Sequence, residues 1–321
     1  MGPRPRWIAL SLALAGLATA CGTSAPTSPA PSGGGLDRTG FVAQVASSDL
    51  YVGPEQRVQV GVYANDPQAG VLLVTSGTVE VRLEPFEGGP GTPVAGRARY
   101  VPAYGTAVGD GPTLSPPDVA RGVYQLDGVR FDAPGVWAAT VRAVVDGREV
   151  EVRATPFTVT RRPRLPAPGD RALPTRNLTL RDDAPPEAID SRAASGAEIP
   201  DPELHRWTIA RALAAGVPAL VTFSTPAFCQ SLFCGPVTDA VSDLHDRFGD
   251  RAVFIHVEVW REHPSTLNEA AADWLYRDGD LTEPWLFLID ARGRILDRWA
   301  PLFDVEEVAR ALERLPRRLP S

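Results

Sequence analysis

Between residues 39 and 160, apolar and polar positions alternate in short runs: FVAQVA, RVQVGVY, TVEVRLEPF, GVYQLDGVRF, GVWAATVRAVVDG and REVEVRATPFTV. A period of two, rich in β-branched residues and broken by glycine and proline, places one face of each run in a core and the other in water. That predicts an antiparallel β domain over 39–160. Asp146-Gly147 between Val136–Val145 and Val150–Val159 predicts a hairpin. Tyr124 and Trp137 are expected core aromatics.

After residue 201 the pattern changes. Glu203 to Ala215 has helical spacing and stops at Gly216. PALVTFS (218–224) and AVFIHVEVW (252–260) are continuous apolar runs, as in strands buried on both faces. Pro236 to Phe248 reads as a helix between them. WLFLID (285–290), a turn at Ala291-Arg292-Gly293, RILDRW (294–299) and a helix over Val305 to Leu315 complete an α/β three-layer order over 201–321. Residues 161–200, rich in proline and charge, read as an interdomain linker whose second half lies along the following domain.

The N-terminus places Arg4 and Arg6 before an apolar run, Trp7 to Ala20, too short for a membrane span. Residues 1–20 read as a signal peptide. Ala18-Thr19-Ala20 fits a small-residue cleavage site. The stretch LATAC also resembles a bacterial lipobox, with Ala18 where leucine is usual, and implies that Cys21 is lipidated. A soluble product would carry an odd cysteine, so the lipid anchor on the outer face of the cell membrane is expected. Residues 21–38, mostly Gly, Thr, Ser, Ala and Pro, form a flexible tether.

Composition then narrows the chemistry. A net charge of −7 gives no support for nucleic-acid binding. All 32 basic residues are arginine, which excludes a phosphate-loop lysine, a Schiff-base lysine and an ammonium that would lower a thiol pKa. No triad, paired-carboxylate site or phosphate loop is present. With Cys21 set aside, the 3 cysteines leave one pair, Cys229 and Cys234, in an oxidising compartment. Within one regular helix, residues five apart have Cα atoms roughly 8–9 Å apart, beyond the ~7 Å reach of a disulfide. If they bond, Cys229 lies in the loop and the helix begins near Cys234. Pro236 agrees, since proline is tolerated in a first helical turn.

These residues carry a resemblance. Over 201–321 the chain resembles a thioredoxin-like domain: Phe233-Cys234-Gly235-Pro236 reproduces the first four positions of its aromatic-Cys-Gly-Pro-Cys motif, and Phe228-Cys229 repeats part of it. Glu283-Pro284-Trp285 stands where that family has a proline, usually cis, packed on the cysteine pair. Gly122-Val123-Tyr124 and Gly135-Val136-Trp137 resemble immunoglobulin-like, YtkA-like bacterial domains. The resemblance implies two domains, an all-β immunoglobulin-like sandwich followed by an α/β thioredoxin-like three-layer domain. It implies thiol–disulfide exchange with exported proteins, no cofactor, a membrane redox partner, and roles for Cys229, Cys234 and Pro284. The spacing from Phe223 favours Cys229 as the attacking thiol, whereas the helix N-terminus favours Cys234, and the balance goes to Cys234. The family's buried acid is replaced by Thr222, with Glu258 the nearest substitute. Two alternatives stay open: a non-catalytic binding module with a structural disulfide, and a Sco-type copper carrier using the cysteines and a histidine, of which only His263 falls in a loop.

Overall fold

In the computed structural model, which describes residues 40–229 and 233–317, the alternating runs become strands. In Thr78–Pro85, Val79, Val81 and Leu83 are buried while Glu80 and Arg82 are exposed. This strand pairs antiparallel with Val94–Pro102 on one side and Gly135–Val145 on the other. Gly135–Val145 turns through Asp146 and Gly147, at φ 48° and 79°, into Arg148–Arg153. Two consecutive residues at positive φ are what a tight Asp-Gly hairpin turn demands.

Further pairing joins 11 strands into one curled sheet. It is mixed, because Phe157–Thr160 runs parallel to Leu50–Tyr51. The curl encloses a core in which Val60, Leu83, Tyr124 and Trp137 are fully buried. Phe131 meets Trp137 edge-on at 5.0 Å.

The continuous apolar runs of the second half form a separate four-stranded sheet. Ala219–Ser224 lies at its centre, parallel to Val253–Glu258 and antiparallel to Trp285–Ile289, which pairs onward with Ile295–Trp299. Leu220, Phe254 and Leu288 pack on the helices Cys234–Phe248 and Val305–Glu313. On the other face, Val221, Ile255 and Phe287 pack on Ile209–Ala215 and Glu269–Leu275. Thr208 caps the helix Ile209–Ala215 by accepting from Arg211 N at 3.0 Å, and Gly216 ends it at φ 63°.

The expected fold class, an immunoglobulin-like sandwich followed by a thioredoxin-like α/β domain, needs correction. The chain is mostly β, 39% strand against 20% helix, the curled mixed sheet dominates it, and no thioredoxin-like domain is evident. The β part of the expectation fits. The physical reason lies in polar positions that alternation assigns to water but that close a contact between the two halves. Gln59 and Gln125 are each 1% exposed. Gln59 Nε2 donates to Gln125 Oε1 at 2.7 Å and to Leu302 O at 2.8 Å. Arg99 reaches Asp304 at 3.0 Å and Glu307 at 3.3 Å, while Arg57 pairs with Asp297 at 2.8 Å and also with Glu307. Val101, Ala103 and Val123, on the outside of the large sheet, join the core beneath the helices Cys234–Phe248 and Val305–Glu313. All described residues accordingly fall within one compact unit.

Residues 161–200 pack rather than span. Leu165, Ala167, Ala172 and Ile189 are buried, and Gly169 N donates to Ile295 O at 2.8 Å. Cys21, with the signal-peptide and tether stretches before residue 39, lies outside the described residues. Among the described residues no helix is long and apolar enough to cross a membrane.

Candidate functional site

The strand Ala219–Ser224 delivers the chain into a loop, and the helix Cys234–Phe248 begins at the loop's far side. Two hydroxyls hold these elements together. Thr238 Oγ1 donates to Cys234 O at 2.9 Å and lies 2.7 Å from Ser224 Oγ, which therefore supplies the proton between them. Cys229 and Cys234 form a disulfide with Cα atoms 5.9 Å apart. As the spacing requires, Cys229 is in the loop, Cys234 opens the helix and Pro236 sits in its first turn.

The two sulfurs are unlike. Cys234 is fully buried, whereas Cys229 is partly exposed. The Cys234 amide donates to Cys229 Sγ at 3.4 Å. The positive end of the helix therefore acts on Cys229, opposite to the preference for Cys234 drawn from the sequence. The N–H of a first helical residue has no partner within the helix, which leaves it available to bond back to the loop.

Pro284 precedes the strand Trp285–Ile289, and the Glu283–Pro284 peptide is cis, as the resemblance implies. Pro284 and Cys229 line one cleft of about 890 Å³ between the two sheets. Phe228, Phe233, Trp260 and Trp285 give it an aromatic wall, and Tyr63 and Val123 of the large sheet face them. Phe228 is fixed by stacking on His263 at 4.3 Å.

Glu283 is the residue that the sequence did not bring forward. One of its carboxylate oxygens and the sulfurs of Cys229 and Cys234 all lie within 4.8 Å of one another. Its Oε2 is buried without a hydrogen-bond partner. Burial first, and then the Glu258 charge, push its carboxyl up to about 8. A protonatable acid thus stands beside the disulfide at neutral pH. The available signal was its place immediately before Pro284.

Glu258, the acid proposed from the sequence, is 2% exposed at the end of Val253–Glu258. It accepts from Ser191 N at 2.8 Å and Trp260 N at 3.3 Å, and its influence reaches the sulfurs through Glu283. Thr222 is buried and donates to Trp285 O at 3.4 Å. The ligand atoms grouped with the sulfurs come from Glu283 and not from His263. Compared with protein-family models, curated proteins and solved structures, the chain finds no match.

Proposed function

We propose that this protein is a thiol–disulfide oxidoreductase acting on exported proteins through Cys229 and Cys234. One observation carries the reading: the Cys229 sulfur reaches an apolar cleft while held by a helix-terminal amide and flanked by the protonatable Glu283. In the oxidised protein, a substrate thiolate seated in the cleft attacks Cys229 Sγ. The Cys229–Cys234 bond breaks, a substrate–Cys229 disulfide forms, and Cys234 leaves with the bonding electron pair and takes the Glu283 proton. A second substrate thiol then attacks the substrate sulfur. This closes the substrate disulfide and releases Cys229 as a thiolate stabilised by the Cys234 amide. The substrate loses two electrons and the pair gains them. Run in reverse, the same steps reduce a substrate disulfide. A membrane thiol–disulfide partner returns the pair to its starting state, and lipid on Cys21 holds the protein at the outer face of that membrane.

Single-cysteine variants test the assignment. Cys234→Ser leaves the partly exposed Cys229 without its resolving partner and is expected to accumulate mixed disulfides with exported proteins, visible as thiol-sensitive adducts by mass spectrometry. Cys229→Ser leaves only a buried thiol and is expected to trap at least tenfold less. Trapping by neither variant, with both folded, would leave the bond as a structural staple.

A further inference from the structure

Behind the disulfide, three chemically related residues from distant parts of the chain meet in a dry interior. Asp190, His205 and His256 are each 0% exposed. Asp190 comes from the segment read as linker, His205 from the turn Pro202–His205, and His256 from the strand Val253–Glu258. His256 Nε2 lies 3.2 Å from Ser224 O. A carbonyl only accepts, so Nε2 carries a proton, and Nδ1 is the lone-pair nitrogen whenever the ring is neutral. That Nδ1 is buried and faces Asp190 Oδ2 at 3.3 Å, a pair that a cation closes, either a proton on the ring or a metal ion. No water can separate the imidazole from the carboxylate, and a metal ion between them would make ligands of both.

The spacing fits. His205 Nε2 also lies 3.3 Å from Asp190 Oδ2, and the three ligand atoms all fall within 4.8 Å of one another. Tetrahedral zinc with bonds of about 2.0–2.1 Å sets neighbouring ligands about 3.3–3.4 Å apart. The bond from His256 Nε2 to Ser224 O is the kind of outer contact that orients a metal-bound imidazole. Charge points the same way. Arg192 is shared among Asp190 at 2.7 Å, Asp201 at 2.9 Å and Asp239 at 3.4 Å, so three carboxylates surround one guanidinium. A divalent ion offsets the surplus, and Arg192 keeps Asp201 and Asp239 as partners when Asp190 turns to the metal.

We propose that Asp190, His205 and His256 form a structural binding site for one divalent transition-metal ion, with Zn²⁺ the best match to two imidazoles and a carboxylate. The ion ties residues 186–205 to the strand Val253–Glu258. It also steadies the loop that bears Cys229, because Ser191 Oγ, next to Asp190, accepts from Ala227 N at 3.0 Å.

The test uses tag-free, fully oxidised protein, so that no thiol competes, stripped with a chelator and titrated with Co²⁺ and then Zn²⁺. One equivalent of Co²⁺ is expected to bind with the visible absorption of a four-coordinate nitrogen–oxygen site, and Zn²⁺ to displace it. Zn²⁺ at about a hundredfold excess over Kd should raise Tm by about 5 °C or more. His205→Gln keeps an N–H donor for Asp190 but loses the ligand, and should bind Co²⁺ at least tenfold more weakly. Failure of the wild-type protein to take up either ion, or equal uptake by folded His205→Gln, would overturn the proposal. The wild-type titration decides the matter by itself if the variant does not fold.

Discussion

Glu283→Gln is expected to slow disulfide exchange by about 100-fold at pH 7, within the range that a positioned proton donor contributes. Glutamine fills the same space beside the sulfurs but has no proton to give when Cys234 leaves. Because the Glu283 carboxyl is pushed up to about 8, wild-type oxidation of a model dithiol should fall as pH rises through that value. The variant should lose that dependence. Stability should move in the same sense. The carboxyl ionises near 4.5 in the unfolded chain and near 8 in the folded one, so the folded state holds the extra proton between those values. The stability that this proton contributes is fully present below 4.5 and is lost as pH rises through 8. Relative to wild type, Glu283→Gln should therefore become progressively more stable from pH 5 to 8. Stopped-flow exchange rates and urea midpoints at several pH values check both limbs. A variant with unchanged exchange rates would remove Glu283 from the chemistry.

Asp49→Ala is expected to destabilise the protein by about 3–5 kcal/mol, the usual consequence of leaving a buried charge unpaired. Arg298 and Asp49 have side chains only 8% and 3% exposed and meet at 2.8 Å. Arg298 is confined between the rings of Tyr51 and Trp285, at 5.5 and 5.0 Å, and cannot swing out to water. Asp49 also accepts from Arg164 N at 2.9 Å and Leu165 N at 3.1 Å, so its loss strips the packed 161–200 segment of its anchor. Arg298→Met combined with Asp49→Leu should recover much of the loss, since an apolar pair leaves no charge stranded. Urea unfolding of the single and double variants measures this. A loss below about 1 kcal/mol for Asp49→Ala would mean that the two halves are not joined through this pair.

The local grammar of the chain was readable because it depends on neighbours in sequence. Alternation at Val79, Val81 and Leu83, the Asp146-Gly147 turn, and the start of a helix at Cys234 each follow from a few adjacent residues. How the halves combine was not readable. Gln59, Arg57 and Arg99 look like ordinary solvent-facing strand residues, and only their partners at Leu302, Asp297 and Asp304 reveal a contact face. Those partners lie more than 200 positions away. The candidate site divides in the same way. Cys229, Cys234 and Pro284 carry motif signals, whereas Glu283 gains its role from burial beside Glu258, which no spacing encodes. The choice between the two thiols turned on the direction of one N–H, from Cys234 to Cys229 Sγ, that only three-dimensional structure supplies.

The most direct measurement is the reduction potential of the Cys229–Cys234 pair, obtained by equilibrating the protein in graded dithiol buffers and counting alkylated thiols by mass. A working exchange bond predicts a two-electron transition at a potential above about −300 mV, accessible to thiol–disulfide partners. A pair that stays oxidised until the potential falls well below about −300 mV would be a structural bond, and would contradict the proposed function.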